Sequence, residues 1–161
     1  METMRKLYVV FVLFLLANML NAQSTNNAIG VRLSAGDGFG QEITFQHGLT
    51  DINRVELDLG TLVGNHYYTW NVAGTYQWVW KIGNGFNWFA GVGGKIGTYS
   101  WDKNSPKSGG GFMLGALANA GIEYSFPVGI QLGLDYRPEI NVASPDNIFG
   151  KSLGLSARYQ F

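Results

Sequence analysis

The chain has 161 residues, no cysteine, and a formal net charge of zero from 11 basic and 11 acidic side chains. One domain is the expected organisation at this length. Disulfides, thiol catalysis and cysteine-held metals are excluded, and no overall field favours nucleic acid or an acidic substrate. Charged residues are 14%, aromatic residues are also 14%, and glycines number 23. Soluble domains carry roughly 25% charged residues, so this composition suits many short strands in contact with lipid.

Arg5 and Lys6 precede an unbroken apolar run of ten residues from Leu7 to Leu16, followed by a polar-to-small stretch ending at Ala22. This is the three-part layout of a secretory signal with cleavage after Ala22. The run is too short for a helix spanning roughly 30 Å of hydrocarbon. The expected organisation is a cleaved signal over 1–22 and a β-barrel domain over 23–161.

Beyond the signal, period-two alternation recurs between turn residues. It predicts eight strands at 28–35, 39–48, 54–63, 67–81, 86–98, 111–124, 130–141 and 151–161. Each has one apolar face. Ile29, Val31 and Leu33 mark the first; Phe39, Ile43 and Phe45 the second; Val55, Leu57 and Leu59 the third. The fourth shows Trp70, Val72, Tyr76, Trp78 and Trp80, and the fifth Phe86, Trp88, Val92 and Ile96. Phe112, Leu114 and Ile122 mark the sixth, Ile130, Leu132 and Leu134 the seventh, and Leu153, Leu155, Tyr159 and Phe161 the eighth.

The opposite faces carry the charges: Arg32, Glu42, Arg54, Glu56, Asp58, Lys81, Lys95, Glu123, Asp135, Arg137, Glu139 and Arg158. Glycines such as Gly91, Gly115, Gly133 and Gly154 share that parity. A soluble barrel would turn the apolar faces inward, whereas a membrane barrel turns them to lipid and fills its lumen with polar groups. Glycine beside charge fits a crowded polar lumen, and in lipid the sheet must close so that every backbone group is paired. The expected fold is therefore all-β, an eight-stranded antiparallel up-and-down transmembrane β-barrel. Balanced charges should pair across neighbouring strands and plug it, with Arg137 at the centre, flanked by Asp135 and Glu139.

With both termini periplasmic, Trp78, Trp80, Phe86, Trp88, Tyr124, Tyr159 and Phe161 fall at one rim, as an interfacial girdle should. Tyr67, Tyr68, Trp70 and Tyr99 fall at the other. Periplasmic turns are expected at 49–53, 82–85 and 125–129, and outer loops at 36–38, 64–66, 99–110 and 142–150. Pro138 cannot donate to a ladder, so a bulge or an earlier strand end is expected there.

Strand count, parity and the ending Arg158-Tyr159-Gln160-Phe161 resemble the small outer-membrane proteins of the OmpX and OmpA-barrel type. The resemblance covers essentially all of 23–161. It implies the outer membrane of a Gram-negative-type bacterium, contact with outer-membrane lipid, and barrel-assembly machinery as a partner during insertion. Tyr159 and Phe161 look like the assembly signal of such barrels. The resemblance implies no single activity; relatives serve membrane integrity, adhesion or lipid modification.

Little in the chain points to chemistry. His47 lies on the lipid-facing parity near a periplasmic turn and reads as interfacial. His66 lies in an outer loop, and with Ser100, Ser105 or Ser108 it would be the histidine–serine set of a lipid-modifying enzyme. A nucleophile needs its base within hydrogen-bond reach, which no spacing here establishes. Acids two apart, such as Glu56 with Asp58 or Asp135 with Glu139, share a face, but Arg54 and Arg137 share those faces too, so salt bridges are expected. The histidines form no metal-ligand motif, and the glycine clusters near Gly93 and Gly110 lack the Lys-Ser/Thr of a phosphate loop. No cofactor or metal is expected. The outer loop with Trp101, Asp102, Lys103 and Lys107 points to no particular surface partner. The leading expectation is a non-enzymatic structural or surface-interaction barrel; the alternatives are a lipid-modifying enzyme and a narrow pore.

Overall fold

The computed structural model of the chain describes residues 27–64, 66–106, 108–143 and 149–161. The signal expected over 1–22, and Lys107, lie outside these. The described residues form eight strands: β1 (Asn27–Gly36), β2 (Phe39–Gly48), β3 (Asn53–Val63), β4 (Tyr67–Gly83), β5 (Phe86–Trp101), β6 (Gly110–Ser125), β7 (Ile130–Ala143) and β8 (Phe149–Gln160). Each pairs antiparallel with its sequence neighbours, and β1 pairs with β8, so the sheet closes into a barrel in the order of the chain.

The alternation in the sequence becomes two surfaces. Large apolar side chains face outward: Ile43 is 59% exposed and Leu155 66%. The interior is polar, and its buried apolar side chains are Ala28, Ala73, Phe89, Met113 and Leu117. A soluble barrel would invert this arrangement, because burying apolar surface is what stabilises it in water. Here the outer face is matched to hydrocarbon, and closure leaves no strand edge in lipid.

One end of the barrel, where β1 begins and β8 ends, is joined by short turns. The β4–β5 turn is Asn84-Gly85, with φ of 51° and 85°. Positive φ at both central residues is what a two-residue hairpin of matching twist requires. The aromatic girdle at this end is present: Trp80 stacks on Trp88 at 4.1 Å between ring centroids, and Tyr124 meets Phe86 and Phe126 at 4.6 Å each.

Three details depart from the sequence expectation. Tyr99 belongs to β5, which runs on to Trp101. Tyr67 and Tyr99 share the parity of the inward-facing Thr69 and Lys95 and turn into the mouth, so only Tyr68 and Trp70 of that expected girdle face out. Finally, β7 neither ends nor bulges at Pro138. Its ladder to β8 continues through Pro138↔Lys151. Its ladder to β6 is interrupted between Leu117↔Glu139 and Ala120↔Tyr136, and the register shifts further along, at Leu114/Gly115. Proline lacks one donor, which serves one neighbouring strand only, so one ladder breaks and the other survives.

Candidate functional site

The lumen is the candidate site. Inward positions on every strand are set by the two-residue period, and eleven of the twelve predicted charges lie along the lumen. Arg32, Arg54, Glu56, Asp58, Glu123, Asp135, Arg137 and Arg158 are buried, and Glu42, Lys95 and Glu139 are partly buried. Lys81 is the exception. It has the inward parity but sits past the level of the lumen near the β4–β5 turn, where it is exposed.

Arg32 and Glu42, cross-strand partners on β1 and β2, pair between neighbouring strands as expected, whereas the other lumen charges among the described residues pair across the interior. Arg137 on β7 meets Asp58 at 2.8 Å and Glu56 at 3.2 Å, both on β3, and Glu42 on β2 at 3.5 Å. In a ring of eight, β3 and β7 are diametrically opposed. Asp135 and Glu139, which flank Arg137 in sequence, serve other partners. Asp135 takes Arg32 through two hydrogen bonds, from Nε at 2.9 Å and Nη2 at 2.7 Å. Glu139 takes Lys95. Parity alone places Asp135 and Glu139 beside Arg137; the stagger of the closed sheet decides which levels meet.

The pairs link into a chain. Arg158 on β8 donates to Glu56 at 2.8 Å, and Glu56 also takes Arg137. Arg137 shares Glu42 with Arg32, whose Nη1 lies 2.8 Å from it. Towards the turn end, Arg54 on β3 forks onto Glu123 on β6 through two bonds of 2.8 Å. It also donates to Gln77 at 2.6 Å and lies 4.9 Å from the centre of the Phe89 ring. A bidentate arginine–carboxylate pair fixes geometry as well as charge. Neutral groups complete the packing. Gln46 donates to Glu56 at 2.6 Å, and Thr44 accepts from Arg158 at 3.3 Å. These amides and hydroxyls were missed as site residues, although their parity identifies them.

Glycine makes the room. A Cβ on Gly154 would lie 2.4 Å from Nε and Nη2 of Arg32, so the guanidinium occupies the volume that any other residue would fill. At the loop end the lumen widens into a cavity of about 100 Å³.

The two histidines stand apart from this network. His47 is exposed on the outer parity and its Nδ1 lies 2.7 Å from Oδ1 of Asn27. His66 is exposed in the β3–β4 loop, where its backbone carbonyl accepts from the N–H of Asp102 at 2.9 Å. Ser100 and Ser108 are exposed and Ser105 is half-buried.

No family model matches the chain, and no curated protein matches it. Solved structures do. The N-terminal β-barrel domain of Pseudomonas aeruginosa OprF superposes with a TM-score of 0.72 at 16% identity, over 86% of this chain and 100% of that one. Neisserial surface protein A gives 0.65 at 13% identity, over 85% and 96%. Ail, the attachment invasion locus protein of Yersinia pestis, gives 0.57 at 13% identity, over 85% and 97%.

Proposed function

The chain has the eight-stranded fold of the OmpX and OmpA-type outer-membrane barrels, and from that fold we propose that it is a non-enzymatic outer-membrane protein whose lumen is plugged by its own side chains. Its role is structural: a stiff, sealed cylinder that supports the envelope and holds surface loops for interaction. The observation that carries this reading is the Arg137–Asp58 contact at 2.8 Å, which joins opposite walls of the barrel. Eight strands leave an interior just wide enough for side chains to fill, and a bridge across the diameter leaves no continuous path for a hydrated ion. Desolvating an unpaired charge costs several kcal/mol, so the pairs hold one another in place.

In this reading both termini are periplasmic, the outer face contacts outer-membrane lipid, and Tyr159 and Phe161 engage the assembly machinery during insertion. The test is a deletion strain scored for detergent and osmotic sensitivity together with lipid A mass analysis. The expected result is a weakened envelope with an unchanged lipid A profile, restored equally by the wild type and by His66→Ala. A lipid A mass change that the wild type reverses and His66→Ala does not would replace this function with an enzymatic one.

A further inference from the structure

The cavity at the loop end has an aromatic wall on β4 and β5. Tyr67 is the cross-strand partner of Trp101, and Tyr99 precedes Trp101 by two residues on the same face. The Trp101 ring lies 6.0 Å from that of Tyr67 at 71°, and 6.1 Å from that of Tyr99 at 76°. Both tyrosine rings thus stand nearly perpendicular to the indole. Each is seated on a glycine. A Cβ on Gly64 would come within 2.3 Å of the Tyr67 ring, and one on Gly111 within 2.7 Å of the Tyr99 hydroxyl oxygen. The Tyr67 hydroxyl donates to the backbone carbonyl of Asp37 at 3.1 Å, reaching over the mouth to the β1–β2 turn.

The other walls of the same cavity carry Glu42, Glu139 and Asp37. Glu42 meets both of its arginines through Oε2, and Glu139 meets Lys95 through Oε2. The cations of the floor are committed: Arg32 donates to Asp135, Glu42 and Ser152, and Lys95 holds Glu139. The cavity lining balances three basic side chains, Arg32, Lys95 and Lys151, against three acidic ones, Asp37, Glu42 and Glu139. At the rim, Asp37 accepts from the backbone N–H of Lys151 at 2.8 Å.

We propose that this mouth is a binding site for a small alkylammonium group. Aromatic ring faces carry negative charge density and attract a cation held within about 6 Å of the centroid, most strongly for tryptophan and most of all where water is excluded. The three rings line one wall of the cavity, and across it Glu42 and Glu139 engage their basic partners through Oε2, so Oε1 of each lies outside those ion pairs. The barrel wall separates the cavity from lipid, so the ammonium enters from the aqueous side of the loop end.

The test uses the full chain refolded in a non-ionic detergent, whose headgroup carries no ammonium. Choline is titrated while the indole N–H resonances are followed by isotope-edited NMR, with the Trp101 signal assigned by its loss in Trp101→Leu. A parallel titration uses the neutral tert-butyl analogue of choline, in which carbon replaces nitrogen. The expected result is a saturable shift of the Trp101 signal by choline, with the indoles of Trp70, Trp78, Trp80 and Trp88 unmoved. The neutral analogue should bind at least about tenfold more weakly. Tyr99→Leu should weaken choline to a similar degree while keeping the heat-modifiable gel mobility of the folded barrel. Equal binding of choline and its neutral analogue would overturn the site. So would the absence of a saturable shift, or a Tyr99→Leu protein that binds choline like its parent.

Discussion

Arg137 and Asp58 face each other across the full diameter of the barrel, β7 to β3, at 2.8 Å. The same guanidinium reaches Glu56 and Glu42, so one side chain ties β7 to β3 and β2. Removing it strands Asp58 in the buried interior, while Glu56 keeps Arg158 and Glu42 keeps Arg32. Arg137→Ala should therefore cost roughly 3–5 kcal/mol, read by urea titration of the folded fraction in lipid vesicles. Asp58→Asn introduced into Arg137→Ala should recover part of that loss, because it removes the stranded charge. A single variant as stable as its parent, or a double variant no better than the single, would mean that the pair carries no such coupling.

The outer face makes a separate prediction. Leu57 is 50% exposed at mid-strand on β3, between the inward-facing Glu56 and Asp58. Leu57→Arg should destabilise the protein in bilayers by about 2–4 kcal/mol, since it sets a charge against hydrocarbon. Asn104→Arg, in the exposed β5–β6 loop, should be neutral within about 0.5 kcal/mol. Equal stabilities for the two would show that Leu57 does not face lipid.

The lumen should also be intolerant of volume at Gly154, where a Cβ would lie 2.4 Å from the Arg32 guanidinium. Gly154→Val must displace Arg32 from Asp135, and the expected cost is about 1–3 kcal/mol from overpacking. Urea titration in vesicles measures it. A variant that matches the wild type would show that the lumen is looser than the contacts imply.

The last residue closes the seam between β1 and β8. The N–H of Phe161 donates to the carbonyl of Asn27 at 2.9 Å, and that of Asn27 returns a bond at 3.3 Å. Deleting Phe161 should lower membrane yield and slow the appearance of the heat-modifiable folded form, through loss of both the seam and the proposed assembly signal. Normal yield and mobility would count against it. Export makes a companion prediction: intact mass of the protein from outer membranes should correspond to a chain starting at Gln23, and retention of Met1 would remove the signal.

The strands and their facing were legible because a period of two admits few alternatives. Once Val55, Leu57 and Leu59 share a face, Arg54, Glu56 and Asp58 must share the other, and β3 is found within a residue of its observed bounds. Apart from Arg32 with Glu42 on neighbouring strands, the partners of the charges were not legible. Asp135 lies two positions from Arg137 on the same face, which is about 6.6 Å along the strand, yet it bonds Arg32 instead. The stagger of a closed sheet sets which levels face each other, and the linear pattern does not encode it. Tyr67 and Tyr99 were misplaced for the opposite reason. Their parity with Thr69 and Lys95 turns them inward, but their clustering at the rim suggested a girdle. Lys81 has inward parity too, and only its position past the lumen puts it in solvent.

The proposal that the lumen is sealed is tested most directly by electrical recording. Purified protein reconstituted in planar bilayers should show no stable single-channel steps, because the bridge from Arg137 to Asp58 and Glu56 crosses the lumen from β7 to β3. Arg137→Ala, folded in parallel, should be the form in which any conductance first appears. Reproducible unitary steps from the wild type, unchanged in Arg137→Ala, would contradict the sealed barrel and assign the protein to the pores.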